Sequence, residues 1–227
     1  MLGNAAPTQF DLRFSLFGIP IRVHPLFWVC GAVGGWRPDD FNLTFVWIGC
    51  LFISILIHEL GHALSALRFG WPPEIVLYVF GGYASYHPGR GHTTGKRVAI
   101  LLAGPGAGFV LFGIVWGLEW VFRHYRLFPA GEGLKYLVYF FLQMKWVNLW
   151  WGLVNLLPVY PLDGGQISRE LLTHWRYRDG LEISLKLSLV VGAAVAVFFF
   201  KQELRWPAIL FAMLAVESLQ NLQASRY

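Results

Sequence analysis

The sequence predicts an all-α polytopic membrane protein with about six transmembrane helices and a small re-entrant β-hairpin or sheet. The composition is apolar, since 56% of the 227 residues are hydrophobic and only 14% are charged, whereas about 25% of a soluble domain is charged. Several long stretches have few ionisable residues, and one of them, residues 41–67, has only His58, Glu59 and His62 and would be roughly 40 Å long as a helix. A shorter stretch between two of them is rich in residues that favour strands.

The apolar stretches divide the chain into six candidate spans and an N-terminal segment. The first span, residues 25–36, is too short to cross a bilayer by itself, so it must borrow from its flanks or be tilted and partly re-entrant. The fifth, residues 187–200, reaches spanning length only when residues 181–186 are added. Residues 10–23 alternate loosely and are expected to be extended. The other candidate spans are residues 41–67, 98–122, 136–159 and 206–222.

Two histidines and a glutamate on the second span have the spacing that zinc coordination by a helix requires. His58 and His62 are four residues apart, so both imidazoles lie on one helix face and can reach one Zn²⁺. Glu59 lies beside them, where it can act as a general base. The alternative is a polar pair between packed helices, but ionisable groups inside a membrane are costly and usually functional. The motif also occurs by chance, and its setting inside an apolar span is what favours a metal site.

A strand-like stretch follows this span. Residues 74–86 are enriched in Val, Ile, Tyr and Phe and are interrupted by Gly81-Gly82, which predicts a hairpin or a re-entrant strand. Non-helical backbone near a bilayer is tolerated where it is buried in protein or lines a wet cavity, so we expect this strand beside the motif helix. A hairpin lying on the cytosolic membrane face is the alternative. His87 and His92, in the next loop, are interpreted as solvated.

Small and polar residues mark one face of each of the next two spans. Gly104 and Gly108 form a small-x-x-x-small face that allows close helix approach. The motif helix is the expected neighbour, although ordinary helix packing explains the pattern equally well. The fourth span carries a polar stripe that should face the bundle interior. Its members are Lys145, Asn148, Gly152 and Asn155, and Lys145 could instead extend to the interface.

A catalytic zinc site usually has three protein ligands, and Asp163 is the candidate for the third. It directly follows the fourth span, whereas the other four Asp residues lie in polar connections. Pro158 and Pro161 interrupt the helix, and Gly164 and Gly165 permit a tight turn, so the acid would be presented on irregular backbone. The alternative is an Asp that caps the following helix.

Together these residues resemble the motifs of the site-2 proteases, intramembrane zinc metallopeptidases of peptidase family M50. The resemblance covers roughly residues 18–166 and rests on three segments: His58-Glu59-x-x-His62, Ala103-Gly104-Pro105, and Asn155-x-x-Pro158-x-x-Pro161-x-Asp163-Gly164-Gly165. Leu162 stands where a shorter Asn-Pro-Asp-Gly form has proline, which fits the branch that is similar to sporulation-factor-processing enzymes. We expect no PDZ or CBS-like soluble domain within these 227 residues, whereas other members of the family use such domains to admit or regulate substrate.

The resemblance implies one integral-membrane metalloprotease domain over residues 1–227, with a three-helix catalytic core at about residues 41–166. It implies one Zn²⁺ per chain and a transmembrane protein substrate that is cleaved in or near its membrane segment, as in regulated intramembrane proteolysis. The residues carried over are the metal ligands His58, His62 and Asp163, the catalytic residues Glu59 and Asn155, and the substrate contacts Gly81, Gly82 and again Asn155.

A metal-binding transporter or a catalytically silent regulator is the rival interpretation. A silent relative should have lost Glu59 or a ligand, and a transporter should have repeated broken helices in two halves. The sequence has neither feature. The net charge of +5 does not indicate nucleic acid, because the basic residues flank apolar spans in short loops and fit lipid headgroups instead. The expected partners are therefore the lipid bilayer and the substrate, and the oligomeric state is open.

The distribution of basic residues predicts the orientation. Under six spans, eleven Lys and Arg lie in the connections on one side, against six on the other. The richer side contains residues 13–22, 68–97, 169–186 and 226, and the poorer side residues 37, 123–135 and 201–205. Since basic loops stay in the cytosol, we expect an inner (plasma) membrane protein whose N-terminus and active site face the cytosol.

Overall fold

The computed structural model describes residues 6–79, 81–89 and 91–225. Within them the chain is mostly helical, with one four-stranded sheet. Its contacts cluster into two compact units, Met1–Gly91 with Ala103–Gly152, and His92–Leu102 with Leu153–Tyr227. The strands are β1 (Leu12–Leu16), β2 (Ile19–Val23), β3 (Pro73–Tyr78) and β4 (Gly81–Tyr86). The helices are α1 (Pro25–Gly34), α2 (Phe41–Arg68), α3 (Thr94–His124), α4 (Glu132–Asn155), α5 (Asp163–Trp175), α6 (Gly180–Lys201) and α7 (Arg205–Ala224).

The sheet belongs to the first unit, where its strands lie in the order β1-β2-β3-β4. β2 and β3 are parallel and the other two pairs are antiparallel. A parallel pair needs a long crossover, and here α1 and α2 form it. Ile19, Ile21 and Val23 alternate along β2, are buried, and share one hydrophobic core with Ile55 and Leu60 of α2. The expected hairpin is confirmed, as one half of a sheet that packs against α2.

The first predicted span is shorter than expected, because the sheet takes part of its place. α1 has 10 residues, about 15 Å, which is half the thickness of a hydrocarbon core. It runs antiparallel to the first half of α2: the Trp47 indole N–H donates to the Gly31 carbonyl at 3.0 Å, and the Arg37 N–H donates to Thr44 Oγ1 at 3.0 Å. The sheet packs against the second half of α2. The chain therefore runs along α2 in two steps, first as strand β2 and then as α1.

The first unit also contains most of α3 and α4, which pack around α2. One buried cluster joins the three helices and consists of Cys50 of α2, Val115 of α3, and Phe141 and Met144 of α4. Cys50 therefore packs as a small apolar side chain. The predicted polar stripe of α4 faces inward at Asn148, which is 2% exposed. Its side-chain amide donates to Ser54 Oγ of α2 at 2.8 Å, which ties the two helices together.

An ion pair connects α3 and α4 and explains Lys145. The Lys145 ammonium bonds to the Glu119 carboxylate, and Arg123, one turn further along α3, bonds to the same carboxylate at 2.7 Å. Glu119 is buried. Lys145 therefore does not need to extend to the interface, because a carboxylate on the neighbouring helix compensates its charge. Glu119 is not among the residues predicted from the sequence, although a lone acid in an apolar span indicates such a partner.

The second unit consists of α5, α6, α7 and the adjoining ends of α3 and α4. Val159, Phe211 and Leu214 form its core, with α6 residues packed around them. Ser188 of α6 accepts a hydrogen bond from the Tyr160 N–H, which anchors the segment between α4 and α5. Arg97, in the first turns of α3, forms an ion pair with Glu170 of α5 at 3.0 Å.

Three of the described helices, α2, α3 and α6, are long and apolar enough to cross a membrane. This supports an integral membrane protein. The predicted number of about six crossings is a finer statement that depends on α1, α4 and α7. α1 is too short, and α4 and α7, which are not among the three, carry charged side chains such as Lys135 and Lys145 in α4 and Glu217 in α7.

Candidate metal centre and active site

The predicted motif residues lie together on α2 in the first unit. His58, Glu59 and His62 are 3%, 4% and 6% exposed, so protein surrounds all three although they are the only acidic, basic or histidine residues in the span 41–67. The two imidazole rings are edge to face, with their centroids 4.8 Å apart. Their Nε2 atoms are 3.1 Å apart. The helical spacing therefore brings two ring nitrogens to one point, as predicted.

This pair of nitrogens fits a zinc ion. Zn–N bonds of about 2.0–2.1 Å in a tetrahedral arrangement place two ligand nitrogens about 3.3 Å apart, close to the 3.1 Å between His58 Nε2 and His62 Nε2. The same distance suits an imidazole–imidazole hydrogen bond. Two buried imidazoles beside one buried carboxylate are nevertheless the donor chemistry of a zinc hydrolase rather than of an apolar helix interface.

Glycines of α2 and α3 allow these two helices to touch beside the histidines. A Cβ on Gly104 of α3 would overlap Nε2 of His62, and a Cβ on Gly61 of α2 would overlap the Ala103 carbonyl oxygen. The expectation that Gly104 packs against the motif helix is confirmed. Gly108 instead faces α4, where a Cβ would lie 3.5 Å from the Asn148 carbonyl oxygen. The requirement for Gly104 is thus specific: it leaves room for the ring nitrogen that a metal would bind.

The start of β4 also lies against the motif. A Cβ on Gly82 would lie 2.8 Å from Cγ of Glu59, and a Cβ on Gly81 would lie 2.7 Å from Cζ2 of Trp151 on α4. Both glycines are the first residues of β4, so the sequence-based idea that they interrupt the strand is wrong. They begin it, because only glycine allows the strand to approach Glu59 on one side and Trp151 on the other.

The other predicted site residues belong to the second unit. Asn155 is the last residue of α4, and Asp163 is the first residue of α5; they are 9% and 8% exposed. Asp163 is therefore helical, and the expectation that it lies on irregular backbone is wrong. The N-cap residue of α5 is Leu162, so Asp163 does not occupy the cap position that the alternative interpretation gave it.

The two glycines after Asp163 have a different role from the one predicted. A Cβ on Gly164 would overlap the Leu156 carbonyl oxygen, and a Cβ on Gly165 would overlap the backbone of Val159 and Tyr160. Neither residue has a positive φ. The glycines therefore allow the first turn of α5 to pack on the segment that joins it to α4, instead of making a tight turn.

The contact between Gly104 and His62 generates a test. We expect Gly104→Ala to lose most of its bound zinc, because the added methyl group must displace the His62 ring from its position. Gly106→Ala is the matched control, since a Cβ there has no neighbour within 4 Å among the described residues and zinc content should stay at the wild-type level. Both variants are purified, their thermal unfolding is compared, and their metal is measured by mass spectrometry. Equal zinc in the two variants would show that the ring does not need this space.

Comparison with known proteins agrees with the site. The model of peptidase family M50 matches residues 46–130 and 129–199. Stage IV sporulation protein FB of Bacillus subtilis is 28% identical over 215 residues, which cover 92% of this chain and 68% of that protein. A zinc metalloprotease of Methanocaldococcus jannaschii is 31% identical over 195 residues, which cover 83% of this chain and 52% of that protein. The chain thus spans between half and about two thirds of the length of these relatives.

The fold also has a counterpart among solved structures. A site-2 protease from Methanocaldococcus jannaschii superimposes with a TM-score of 0.64 over 94% of this chain and 95% of that one, at 23% sequence identity. The mostly helical fold with a small sheet is therefore the site-2 protease fold. The family match extends from residue 46 to residue 199 and includes both the histidine motif and the segment from Asn155 to Asp163, so the chain belongs to peptidase family M50, as the resemblance of its motifs predicted.

Proposed function

We propose that this protein is an intramembrane zinc metallopeptidase that hydrolyses peptide bonds in or near transmembrane segments of membrane-anchored proteins. The observation that carries the proposal is a buried His-Glu-His group on α2, a helix of 28 residues that is apolar enough to cross a membrane. A soluble zinc hydrolase has no need of such a helix. Peptide hydrolysis at this depth is therefore directed at substrates that are themselves in the bilayer.

We propose His58, His62 and Asp163 as the metal ligands. All three are buried, and each offers one ligand atom to a metal ion. Two imidazoles and one carboxylate are a donor set that catalytic zinc sites use. When bound, zinc supplies a Lewis acid that polarises the scissile carbonyl and lowers the pKa of water.

Glu59 is the general base in this proposal. Its position beside His58 on the helix and its burial leave its carboxylate within the protein rather than in lipid or bulk water. From there it can accept a proton from the attacking water and pass it to the leaving amine. Asn155 is proposed to act near the substrate, since it is a buried polar side chain at the end of a helix.

The substrate is proposed to pair with the open edge of β4, near Gly81 and Gly82. A transmembrane helix satisfies its own backbone hydrogen bonds, so it must unwind before cleavage, and an edge strand can bond the freed groups. β4 is the last strand of the sheet and pairs with β3 on one side. Its first residue packs against Trp151 and its second against Glu59. A substrate strand paired with β4 there would therefore lie close to the general base.

The proposed domain is one integral-membrane unit over residues 1–227 with a catalytic core at about residues 41–166. Besides α2, α3 and α6, we propose that α4 and α7 cross the bilayer, because helices of 24 and 20 residues are about 36 and 30 Å long. The pairing of Lys145 with Glu119 removes the cost of an unpaired charge within α4. The sixth crossing is shared between the sheet and α1.

The N-terminus and the active site are proposed to face the cytosol. β2 precedes α1 and β3 follows α2, and the two strands are neighbours in one sheet. The N-terminal segment therefore lies beside the C-terminal half of α2. This supports placing both on the same side of the membrane, as the count of basic residues assumes. From His58 to the end of α2 at Arg68 is about 15 Å of helix, so the site is within the leaflet on that side.

The orientation can be measured on the connection between α5 and α6. Tyr177 is 95% exposed, so Tyr177→Cys in a Cys30→Ser background provides an accessible thiol, and Cys50 is buried. We expect a membrane-impermeant maleimide to label inverted inner-membrane vesicles and to leave intact cells unlabelled. Labelling of intact cells at the rate of an extracellular control cysteine would reverse the proposed orientation.

The proposed reaction predicts two different failures. Glu59→Gln should lower kcat by about 10²–10⁴-fold, the typical contribution of a general base, while bound zinc stays at the wild-type level. Asp163→Ala should lose zinc as well as activity, because two histidines make an incomplete site. Asp179→Ala, which removes an exposed carboxylate, is the control. Cleavage of a transmembrane peptide in lipid nanodiscs and metal content are measured together, and near-normal turnover by Glu59→Gln would reject the proposed function.

The proposed substrate edge predicts that a backbone donor of β4 matters more than a side chain. N–H groups along an antiparallel edge strand point alternately to the partner strand and to the open edge, so one of Tyr83 and Ala84 points outward. We expect Tyr83→Pro or Ala84→Pro to stay folded and zinc-loaded but to slow cleavage, while Tyr83→Ala and Ala84→Ser cleave normally. If no folded proline variant is slower than its matched control, the helices rather than β4 hold the substrate.

A further inference from the structure

We infer that Gly82 positions the catalytic base: its lack of a side chain creates the space in which the Glu59 side chain lies. This inference rests on the proposed function, and it gives Gly82 a role different from substrate contact. It follows from how β4 passes α2 and from what surrounds the position of the missing side chain.

The space at Gly82 is already filled by its neighbours. A Cβ there would lie 2.8 Å from Glu59 Cγ, 3.2 Å from Glu59 Cδ and 2.7 Å from Leu77 Cδ2. Non-bonded carbon atoms are in favourable contact at about 3.5–4.0 Å. An alanine at this position must therefore push away Glu59, Leu77 or both.

The sheet cannot easily give way instead. Gly82 is paired with Leu77 across the β3–β4 hairpin, and Leu77 is completely buried in the core that β2, β3 and α2 share. A shift of β4 along β3 by one residue would exchange the faces of its side chains and would bring Tyr83 towards Glu59. On the other face of the strand, Trp151 lies where a side chain of Gly81 would be. The backbone of β4 is thus held in place from both sides.

Glu59 is the group that can move. Its backbone is fixed in the middle of α2 by the helix itself, and the contact made by the missing methyl group would be with Cγ and Cδ, the flexible part of the side chain. A displaced carboxylate would still be buried but would no longer be aligned with the attacking water. Misplacement by about 1 Å can cost about 10²-fold in rate.

This role and a substrate-contact role predict different kinetic effects. If Gly82 only provides backbone to the substrate, alanine keeps the N–H and the C=O, and any steric effect falls on substrate binding and KM. If Gly82 leaves room for Glu59, the effect falls on kcat, and KM and zinc binding change little. The three atoms nearest to the added methyl group belong to Glu59 and Leu77 and not to the histidines, so the bound metal should stay.

The kinetic test uses Gly82→Ala with a second substitution at Leu77. We expect Gly82→Ala to lower kcat by about 10²-fold, with KM and zinc content within about twofold of wild type. Leu77→Val removes the Cδ atoms on the other side of the methyl group but leaves the methyl group 2.8 Å from Glu59 Cγ, so adding it to Gly82→Ala should restore little of the lost kcat. Recovery of most of the lost kcat would place the effect on Leu77 and would overturn the positioning of Glu59. Gly89→Ala, where a Cβ would be at an ordinary 3.5 Å from Trp71, is the matched control and should resemble wild type.

A second test does not depend on activity. In a double-mutant cycle, the loss of thermal stability caused by Gly82→Ala should be smaller in the Glu59→Ala background than in the wild type, because Glu59→Ala removes the atoms that the methyl group strikes. Equal losses in the two backgrounds would show that Gly82 and Glu59 are not coupled and would overturn the inference. This measurement also decides the case in which Gly82→Ala is too unstable for kinetics.

The inference and the proposed function fail in different ways. A wild-type protein whose cleavage of the transmembrane peptide needs neither zinc nor Glu59 would reject the proposed function, whatever Gly82 does. A wild-type protein that needs both, together with a Gly82→Ala variant of unchanged kcat or with raised KM alone, would reject only the positioning role.

Discussion

The constraint on which the first unit depends is the burial of three polar side chains in the middle of an apolar helix. His58, Glu59 and His62 cannot face lipid without a large desolvation cost, so other parts of the chain must surround α2 at this level. They do so at very short range. Gly104 of α3 leaves room for the His62 ring, and Gly82 of β4 leaves room for Glu59. Helix α3 and strand β4 thus both contact the motif through a glycine. The side chains of the motif occupy the space that a side chain at each glycine would fill.

The sheet places non-helical backbone beside the second half of α2, a helix that is apolar enough to cross a membrane. Backbone polar groups in a bilayer need partners, and each of the four strands has a neighbouring strand that supplies them on at least one side, while apolar side chains of the sheet pack against α2. β2 and α1 together accompany α2 along its length, the strand beside its second half and the helix beside its first. The segment that looks like a weak transmembrane helix is therefore a 10-residue helix that shares this position with a strand.

The charged side chains of α3 and α4, like those of the motif, lie in long apolar helices and need partners within the protein. Glu119, Lys145 and Arg123 lie in long helices and compensate one another, so the helices keep their contact without an unpaired charge. One turn beyond Lys145 on α4, Asn148 bonds to Ser54 of α2. These polar contacts determine which face of α4 is turned towards α2 and α3. Trp151 lies on that face, where it packs against Gly81.

Local patterns in the sequence determined the long apolar helices, the strand-rich segment before α3 and the helical face that holds His58 and His62, because these depend on periodicity and on the spacing of residues along one element. The family followed from the order of the motifs. Only the tertiary structure decided that the apolar stretch 25–36 forms no more than the 10-residue helix Pro25–Gly34, that Lys145 pairs with Glu119, and that Asp163 begins a helix. It also decided what the glycines do: Gly82, Gly104, Gly164 and Gly165 are required by the neighbours that fill the space beside them, and a sequence alone does not show which residues those neighbours are.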